Sequence, residues 1–181
     1  MKLKLIQYLN ENKISLGLSE STSELRFVGQ NKGYGKFALQ KILKDNIIYR
    51  IGGVWLTIEE KLKFDKHYFH LVDGAYFFQG GLDPTLNGTH NHSCNPNAYV
   101  EDNTLRALRD IEVDEEITVD YGTFVVHEYV ILDNCMCGAL ECRKTITGND
   151  WLIHDLAKKY NNRVSSQVRR LTEYNQKNFD T

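Results

Sequence analysis

The residues with the most distinctive chemistry are four cysteines, three of which lie within eight positions. Cys135, Cys137 and Cys142 follow the spacing C-x-C-x4-C, and the remaining cysteine is Cys94. Three thiolates this close repel one another unless a cation neutralises them, and zinc takes four tetrahedral ligands. The count therefore predicts one structural zinc that ties Cys94 to the later cluster. Reduced, unconnected cysteines are the alternative.

A second unusual segment contains Cys94 itself. Residues 91–97 read Asn-His-Ser-Cys-Asn-Pro-Asn. Asn-Pro is a turn signal, so taken alone the segment is explained as a polar turn. However, it combines a titratable ring, side-chain amides and a thiol, which is uncommon in a solvent-exposed loop. From these residues alone, a polar turn held by purely structural hydrogen bonds and a functional segment both stay open.

A third segment ends in a tyrosine. Residues 115–122 read Glu-Glu-Ile-Thr-Val-Asp-Tyr-Gly, which indicates a short buried strand that ends at Tyr121. A tyrosine at the end of a strand can direct its hydroxyl into a cleft as a hydrogen-bonding partner. A core tyrosine whose hydroxyl is satisfied internally is the alternative.

Taken together, these three segments resemble the SET family of methyltransferases with its post-SET cysteine cluster. The pair Gly33-Tyr34-Gly35 and Phe37-Ala38 resembles the family's glycine entry motif, and the similarity covers about residues 24–148. The resemblance implies a β-rich fold of small sheets with a pseudoknot, in which residues 91–94 meet residues 119–122. The zinc then holds the C-terminal side of the domain over the cofactor.

The same resemblance implies an activity, namely methyl transfer from S-adenosylmethionine to a lysine side chain of a protein substrate. Tyr121 corresponds to the catalytic tyrosine. The residues implied to contact the cofactor are Gly33, Tyr34, Gly35, Asn91, His92, Tyr121 and Ile146. Histones, histone-like proteins, ribosomal proteins and host proteins all stay open as substrates.

Two departures from the family pattern change the expectations. Residues 88–90 are Gly-Thr-His, where the family carries Arg-Phe and an apolar residue. This difference motivates an alternative, a catalytically weak SET-like module that binds a protein partner. A small zinc-binding interaction domain without a cofactor site is a third hypothesis. Val119 stands where the family commonly has Phe or Tyr, so we predict a roomier lysine channel and di- or trimethylation.

The elements that must position these residues are mostly short strands. Turn signals recur about every 8–12 residues, which is typical of a mainly β domain. From Trp151 onward, apolar residues follow helical spacing and predict an amphipathic helix, with a possible break at Asn161-Asn162. This helix either packs on the domain or serves a partner, including a second copy of the chain. The expected organisation is an N-terminal segment (1–23), the SET domain (24–124), the zinc-binding segment (125–148) and a helical tail (149–181).

Composition excludes several other classes of protein. The chain has 181 residues, 22 basic and 24 acidic side chains and a net charge of -2. It has no long basic block, so direct nucleic-acid binding is not expected. It also has no apolar run of signal-peptide or membrane-span length. We therefore expect a soluble protein of the cytoplasm or nucleus, or one exported without an N-terminal signal.

Overall fold

The computed structural model describes residues 22–50, 53–57, 59, 69–72, 75–79, 90–101, 104–126 and 129–179. Short strands in four small sheets make up most of the regular secondary structure in these residues. In chain order the strands are β1 (Ser23–Gly29), β2 (Gly33–Ala38), β3 (Ile47–Arg50), β4 (Gly53–Leu56), β5 (Phe69–Val72), β6 (Ala75–Gln79), β7 (Asn91–His92), β8 (Ala98–Glu101), β9 (Thr104–Ala107), β10 (Glu116–Val119), β11 (Val130–Leu132) and β12 (Ile146–Thr147). The mainly β fold is thus confirmed. The predicted N-terminal segment, apart from its last two residues, lies outside the described residues.

The first sheet joins segments that are far apart in the sequence. Its strand order is β1-β2-β10-β7, and β7 runs parallel to β10 with Asn91 opposite Thr118. The other sheets have the orders β3-β9-β8, β4-β6-β5 and β11-β12. The β7–β10 pairing brings residues 91–94 to residues 119–122, as the family resemblance implied.

Two local sequence patterns predict a structure that differs from the observed one. Apolar residues on both sides of Gly52-Gly53 in residues 47–55 predict a strand pair joined by a turn, but β3 pairs with β9 and β4 pairs with β6. The pairing of β3 with β9 buries Ile48 and Tyr49 in the main core. The glycines of residues 33–35 predict a turn, but these residues lie in β2, where Gly33 has a positive φ of 67° at the start of the strand.

The main hydrophobic core lies between the first sheet and the β3-β9-β8 sheet. In β10, Ile117 and Val119 are fully buried, whereas Glu116 and Thr118 are only partly buried. This alternation is the period of two that a strand with one face on a core requires. Tyr121 follows β10 directly and packs against the edge of this core.

The C-terminal part is helical and packs against the domain. After a 3-10 turn at Asp150–Leu152, it forms the one-turn helix α1 (Leu156–Lys159) and the longer helix α2 (Ser166–Phe179). Asn161 and Asn162 have positive φ angles of 51° and 58°, so the proposed break in the helical pattern is confirmed.

Burial shows how this tail is attached to the domain. The residues of the helical pattern that are buried are Leu156, Tyr160, Val164 and Val168, whereas Leu152 is 53% exposed. The Ser165 N–H donates to the Thr123 carbonyl at 2.9 Å, which fixes the start of α2 beside the turn that follows Tyr121. Among the described residues, no helix is long and apolar enough to cross a membrane.

Candidate active site and metal centre

Tyr121 lies between the main core and the cysteine cluster. It occupies the first position of a 3-10 turn, Tyr121–Thr123, and its ring packs against both groups of buried residues. Its hydroxyl donates to the backbone carbonyl of His90 at 3.0 Å. Burial raises the pKa of Tyr121 to about 12, so the phenol keeps its proton near neutral pH.

His92 connects Tyr121 to the cysteines. Its Nδ1 accepts the backbone N–H of Tyr121 at 3.2 Å, and its Nε2 lies 3.2 Å from the Cys94 sulfur. Burial lowers the pKa of His92 to about 4. The charge of Asp120 opposes this shift, whereas the charge of Arg143 also lowers the pKa. A neutral ring that accepts at Nδ1 carries its proton on Nε2. His92 therefore donates this proton toward the Cys94 sulfur.

The four cysteines form one cluster, as their number and spacing predicted. The sulfurs of Cys94, Cys135, Cys137 and Cys142 all lie within 4.8 Å of one another, and all four thiols are free of disulfides. Cys94 is fully buried in a small core with Ile146. Four converging sulfurs are the donor set that zinc binds tetrahedrally.

Hydrogen bonds around the cluster suit thiolates rather than thiols. The backbone N–H of Cys94 donates to the Cys137 sulfur, and the backbone N–H of Arg143 donates to the Cys94 sulfur, both at 3.4 Å. Burial raises the pKa of Cys94 and of Cys135, so without a cation these two thiols keep their protons. The four sulfurs would hold a zinc ion as thiolates, and the two backbone N–H groups would then offset part of their negative charge.

The strand that leads into the cysteine site also carries a side-chain contact to β10. Asn91 Nδ2 donates to Glu116 Oε1 at 2.6 Å. A Cβ added at Gly35 would lie 2.9 Å from Asn91 Nδ2 and closer still to Glu116 Oε1. The absence of a side chain at Gly35 is therefore what lets the Asn91–Glu116 pair fill this space.

Of the other residues predicted to contact the cofactor, Gly33 and Tyr34 border open space, whereas Ile146 is buried. Gly33 has open space where a Cβ would point, and Tyr34 beside it is 48% exposed. A ligand can therefore approach the backbone at this point. Ile146 is fully buried beside Cys94 and Cys135, so it belongs to the wall of the cysteine cluster. Its contact with an adenine ring stays a prediction.

The family resemblance gave no role to the ionic network next to Tyr121. Arg143 donates to both carboxylate oxygens of Asp120, at 2.7 and 2.6 Å, and to Asp150 at 2.9 Å. Asp120 is 1% exposed. Burial alone would raise its pKa, but the hydrogen bonds and charge of Arg143 outweigh burial and hold the pKa below its ordinary value. Asp120 is therefore a buried carboxylate with a bidentate partner.

The same network reaches the C-terminal tail and Cys94. The Tyr160 hydroxyl lies 2.8 Å from Asp120 Oδ2 and 3.3 Å from the Cys94 carbonyl oxygen. Lys159 Nζ donates to that carbonyl at 3.0 Å. The tail thus contacts the residue before Tyr121 and the backbone of a metal-ligand candidate, which makes it part of the site's support.

Removal of the buried charge should destabilise the fold strongly. We expect Asp120→Asn to lower the free energy of unfolding by about 3 kcal/mol, because Arg143 then loses the carboxylate that it binds with two hydrogen bonds and keeps only Asp150 as a charged partner in a largely buried setting. Asp110→Asn is the matched control, since Asp110 is exposed and its ion pair with Lys41 spans 4.0 Å. That control should change stability by less than about 0.5 kcal/mol. Urea unfolding measures both; equal effects would contradict the assigned role of Asp120.

With this geometry established, comparison with known proteins decides the family. Residues 33–122 match the model of the SET domain. The chain belongs to the SET-domain family. The matched residues run from the first glycine of β2 to the turn that contains Tyr121, so the SET-domain match covers the entry motif, Asn91, His92 and the tyrosine.

Curated relatives of this SET-domain chain are described as histone methyltransferases. One is an H3 lysine-36 specific histone-lysine N-methyltransferase of Candida albicans, 35% identical over 135 residues. Another is the histone-lysine N-methyltransferase SETD1B of Xenopus tropicalis, 30% identical over 134 residues. The matches cover 65% and 62% of this chain but 16% and 6% of these relatives. The chain therefore spans a small part of the length of the relatives that it matches.

A solved structure supports the fold. KRYPTONITE, in complex with mCHH DNA, an H3(1-15) peptide and SAH, aligns with a TM-score of 0.52 and 23% sequence identity. The alignment covers 75% of this chain and 32% of that one. It shows the shared SET fold.

Several residues of the site were missed by sequence reasoning. The network of Arg143, Asp150 and Tyr160 joins segments whose sequence separation gives no signal of contact. Asp150 stands directly before the helical pattern, where Asn149 or Asp150 could cap a helix, but its carboxylate accepts hydrogen bonds from Arg143 and Thr147. The sequence offered two indications that these residues belong to the site: Arg143 directly follows Cys142, and Asp120 directly precedes Tyr121.

Proposed function

We propose that the chain is a protein-lysine N-methyltransferase that uses S-adenosylmethionine as its methyl donor. The observation that carries this proposal is the fixed Tyr121 hydroxyl, which donates to the His90 carbonyl where β7, β10 and the cysteine cluster meet. The printed descriptions of the curated relatives support the same activity.

Tyr121 is proposed as the catalytic residue that orients the substrate amine. Because its proton is directed at the His90 carbonyl, the oxygen presents its free lone pairs to an incoming N–H group. This contact aims the nitrogen lone pair along the line of displacement, and alignment supplies most of the rate of such a reaction. The amine must be neutral, although free lysine has a pKa of about 10.4. Burial in the site favours the neutral form.

Two groups of residues are proposed to hold the cofactor. The open backbone at Gly33 and Tyr34 of β2 forms the first group, and Asn91 and His92 of β7 form the second. When bound, S-adenosylmethionine supplies an electrophilic methyl group on a sulfonium. Gly35 acts indirectly, because it leaves room for the side chain of Asn91. The four cysteines would hold a zinc ion, which would tie the cysteine segment to Cys94 beside Tyr121.

The proposed substrate is a protein that presents a lysine. Histone H3 is the first substrate to test, because the Candida albicans relative is described as specific for lysine 36 of H3. A histone substrate would place the protein in the cytoplasm or nucleus. Neither nucleic acid nor a membrane is needed as a direct partner for this reaction.

Cofactor binding and methyl transfer together test the function. Calorimetry should show binding of S-adenosylmethionine, and tritium from its labelled methyl group should pass to core histones or to other lysine-rich proteins. Binding without transfer to any protein would support the alternative, a SET-like module that binds a partner. Absence of cofactor binding in a zinc-loaded preparation would support a zinc-binding interaction domain.

The size of the Val119 side chain predicts how many methyl groups are added to the lysine. This residue is fully buried in β10, two positions before Tyr121. A side chain smaller than Phe or Tyr leaves more room beside the amine, so we expect di- or trimethyllysine at saturating cofactor. Val119→Phe should shift the product toward monomethyllysine, with Val100→Ile as a control for a change in core volume. Mass spectrometry that finds only monomethyllysine with the wild-type protein would contradict this prediction.

A further inference from the structure

The residue before Asn91 is a buried histidine that contacts two tyrosine side chains. His90 is 6% exposed, and its Nδ1 lies 3.2 Å from the hydroxyl of Tyr49. Its backbone carbonyl accepts the hydroxyl of Tyr121 at 3.0 Å. One residue therefore contacts two tyrosine hydroxyls, one through its side chain and the other through its backbone.

The two tyrosines reach His90 from different elements. Tyr49 belongs to β3 in the β3-β9-β8 sheet and is 4% exposed, whereas Tyr121 follows β10 of the first sheet. Burial raises the pKa of Tyr49 above its ordinary value, so its phenol stays protonated. His90 thus links the two sheets at the point where the Tyr121 hydroxyl is held.

The backbone around His90 explains why a side-chain anchor matters. The ladder between β7 and β10 pairs Asn91 with Thr118 and His92 with Val119, and His90 lies one residue outside it. The carbonyl that receives Tyr121 is therefore at the end of the ladder. Because a buried polar ring is costly to leave unpaired, its hydrogen bond to Tyr49 restricts the orientations that this residue can take.

A buried lysine completes the surroundings. Lys36 of β2 is 6% exposed, and its Nζ lies 4.4 Å from the centroid of the Tyr49 ring. A cation over the face of an aromatic ring is attractive and limits the ring's movement. The ring of His90 also lies near that of Phe124, with the ring centroids 6.1 Å apart. Two aromatic side chains, Tyr49 and Phe124, therefore border the imidazole.

We propose that His90 is a positioning residue for methyl transfer, whose imidazole is anchored by Tyr49 so that its carbonyl holds the Tyr121 hydroxyl in place. This inference rests on the proposed function. His90 acts through Tyr121 and touches neither reactant. A displacement of about 1 Å at a reacting centre lowers a rate by up to about 100-fold, so a loosened carbonyl should affect kcat.

The test compares three substitutions in the full-length, zinc-loaded protein. His90→Leu removes the anchor, His90→Asn keeps a polar atom near the position of Nδ1, and Tyr49→Phe removes only the partner hydroxyl. We expect His90→Leu and Tyr49→Phe to lower kcat by about 10- to 100-fold, with KM for cofactor and substrate changed by less than about threefold. The double variant should be no slower than the slower single variant, because both break the same contact. His90→Asn should recover at least about fivefold over His90→Leu.

Tyr99→Phe is the matched control. Tyr99 is also buried, on β8 of the sheet that contains Tyr49, and the loss of its hydroxyl should leave kcat unchanged. Additive losses in the double variant, or wild-type kcat in Tyr49→Phe, would overturn the proposal. So would a change confined to KM.

A spectroscopic readout separates this inference from the activity. In protein labelled with carbon-13 at the tyrosine Cζ atoms, the Tyr121 signal is assigned by its loss in Tyr121→Phe. We expect this signal to shift in His90→Leu and Tyr49→Phe and to stay in place in Tyr99→Phe. An unmoved Tyr121 signal would contradict the positioning role even if the variants lost activity. If the wild-type protein transferred no methyl group but the variants showed the expected shifts, the proposed activity would be refuted, while the coupling of Tyr49 to Tyr121 through His90 would stand.

Discussion

The Tyr121→Phe variant should lose at least about 100-fold in kcat while it binds S-adenosylmethionine as the wild type does. The hydroxyl is the one group that phenylalanine lacks, and it joins Tyr121 to the His90 carbonyl at 3.0 Å. Without it, the amine loses the acceptor that aligns its lone pair, and a misplacement of about 1 Å at a reacting centre can cost about 100-fold in rate. The ring itself should keep its packing between the core and the cysteines.

Three measurements show whether the loss of activity in Tyr121→Phe comes from the missing hydroxyl rather than from lost cofactor or zinc. Steady-state kinetics gives kcat, calorimetry gives the cofactor affinity, and metal analysis checks that zinc is retained. Tyr174→Phe is the control, because Tyr174 lies on α2 and is 62% exposed; its kcat should equal that of the wild type. Unchanged transfer by Tyr121→Phe would remove Tyr121 from the catalytic role.

Replacement of one candidate zinc ligand should lower both the stability of the fold and the activity by a large amount. We expect the wild type to contain about one zinc per chain, and Cys137→Ser to contain far less. Since the Cys94 sulfur lies near Nε2 of His92, and Nδ1 of His92 accepts the Tyr121 N–H, the site loses its support on this side. Structural zinc contributes about 10 kcal/mol or more in small domains, so the thermal midpoint should fall markedly.

Met136→Leu provides the control for the cysteine segment. Met136 lies between two ligand candidates and is 47% exposed, so its replacement keeps all four sulfurs. Zinc content, thermal midpoint and activity should stay near the wild-type values. Full activity of a metal-free preparation would contradict the supporting role of the metal.

The segments of the candidate site could be predicted from the sequence to come together, because the cysteines have a chemical signature and the other segments resemble a known family. Three closely spaced cysteines need a cation, and a fourth was left to complete the set; the sulfurs do converge within 4.8 Å. The link between Asn91 and Tyr121 came from a family resemblance, since no local pattern reveals that β7 pairs in parallel with β10.

The supporting contacts could not be predicted, because they depend on distant side chains. Arg143 and Asp120 are 23 positions apart, and Tyr160 reaches Asp120 across 40 positions. The helical spacing after Trp151 predicted burial for several residues, but not that the buried face would lie beside the turn after Tyr121. His90 was noticed as a departure, while its contact with Tyr49 became visible only in three dimensions.

The identity of the modified residue tests the central claim most directly. Histone H3, or any other protein labelled in the transfer assay, should be digested and analysed by tandem mass spectrometry after reaction with the wild-type protein and with Tyr121→Phe. The account predicts methyl groups on lysine side chains, mainly two or three per residue, and at least about a 100-fold lower rate of their formation with Tyr121→Phe. Methylation of another residue type, or equal lysine methylation by both proteins, would contradict it.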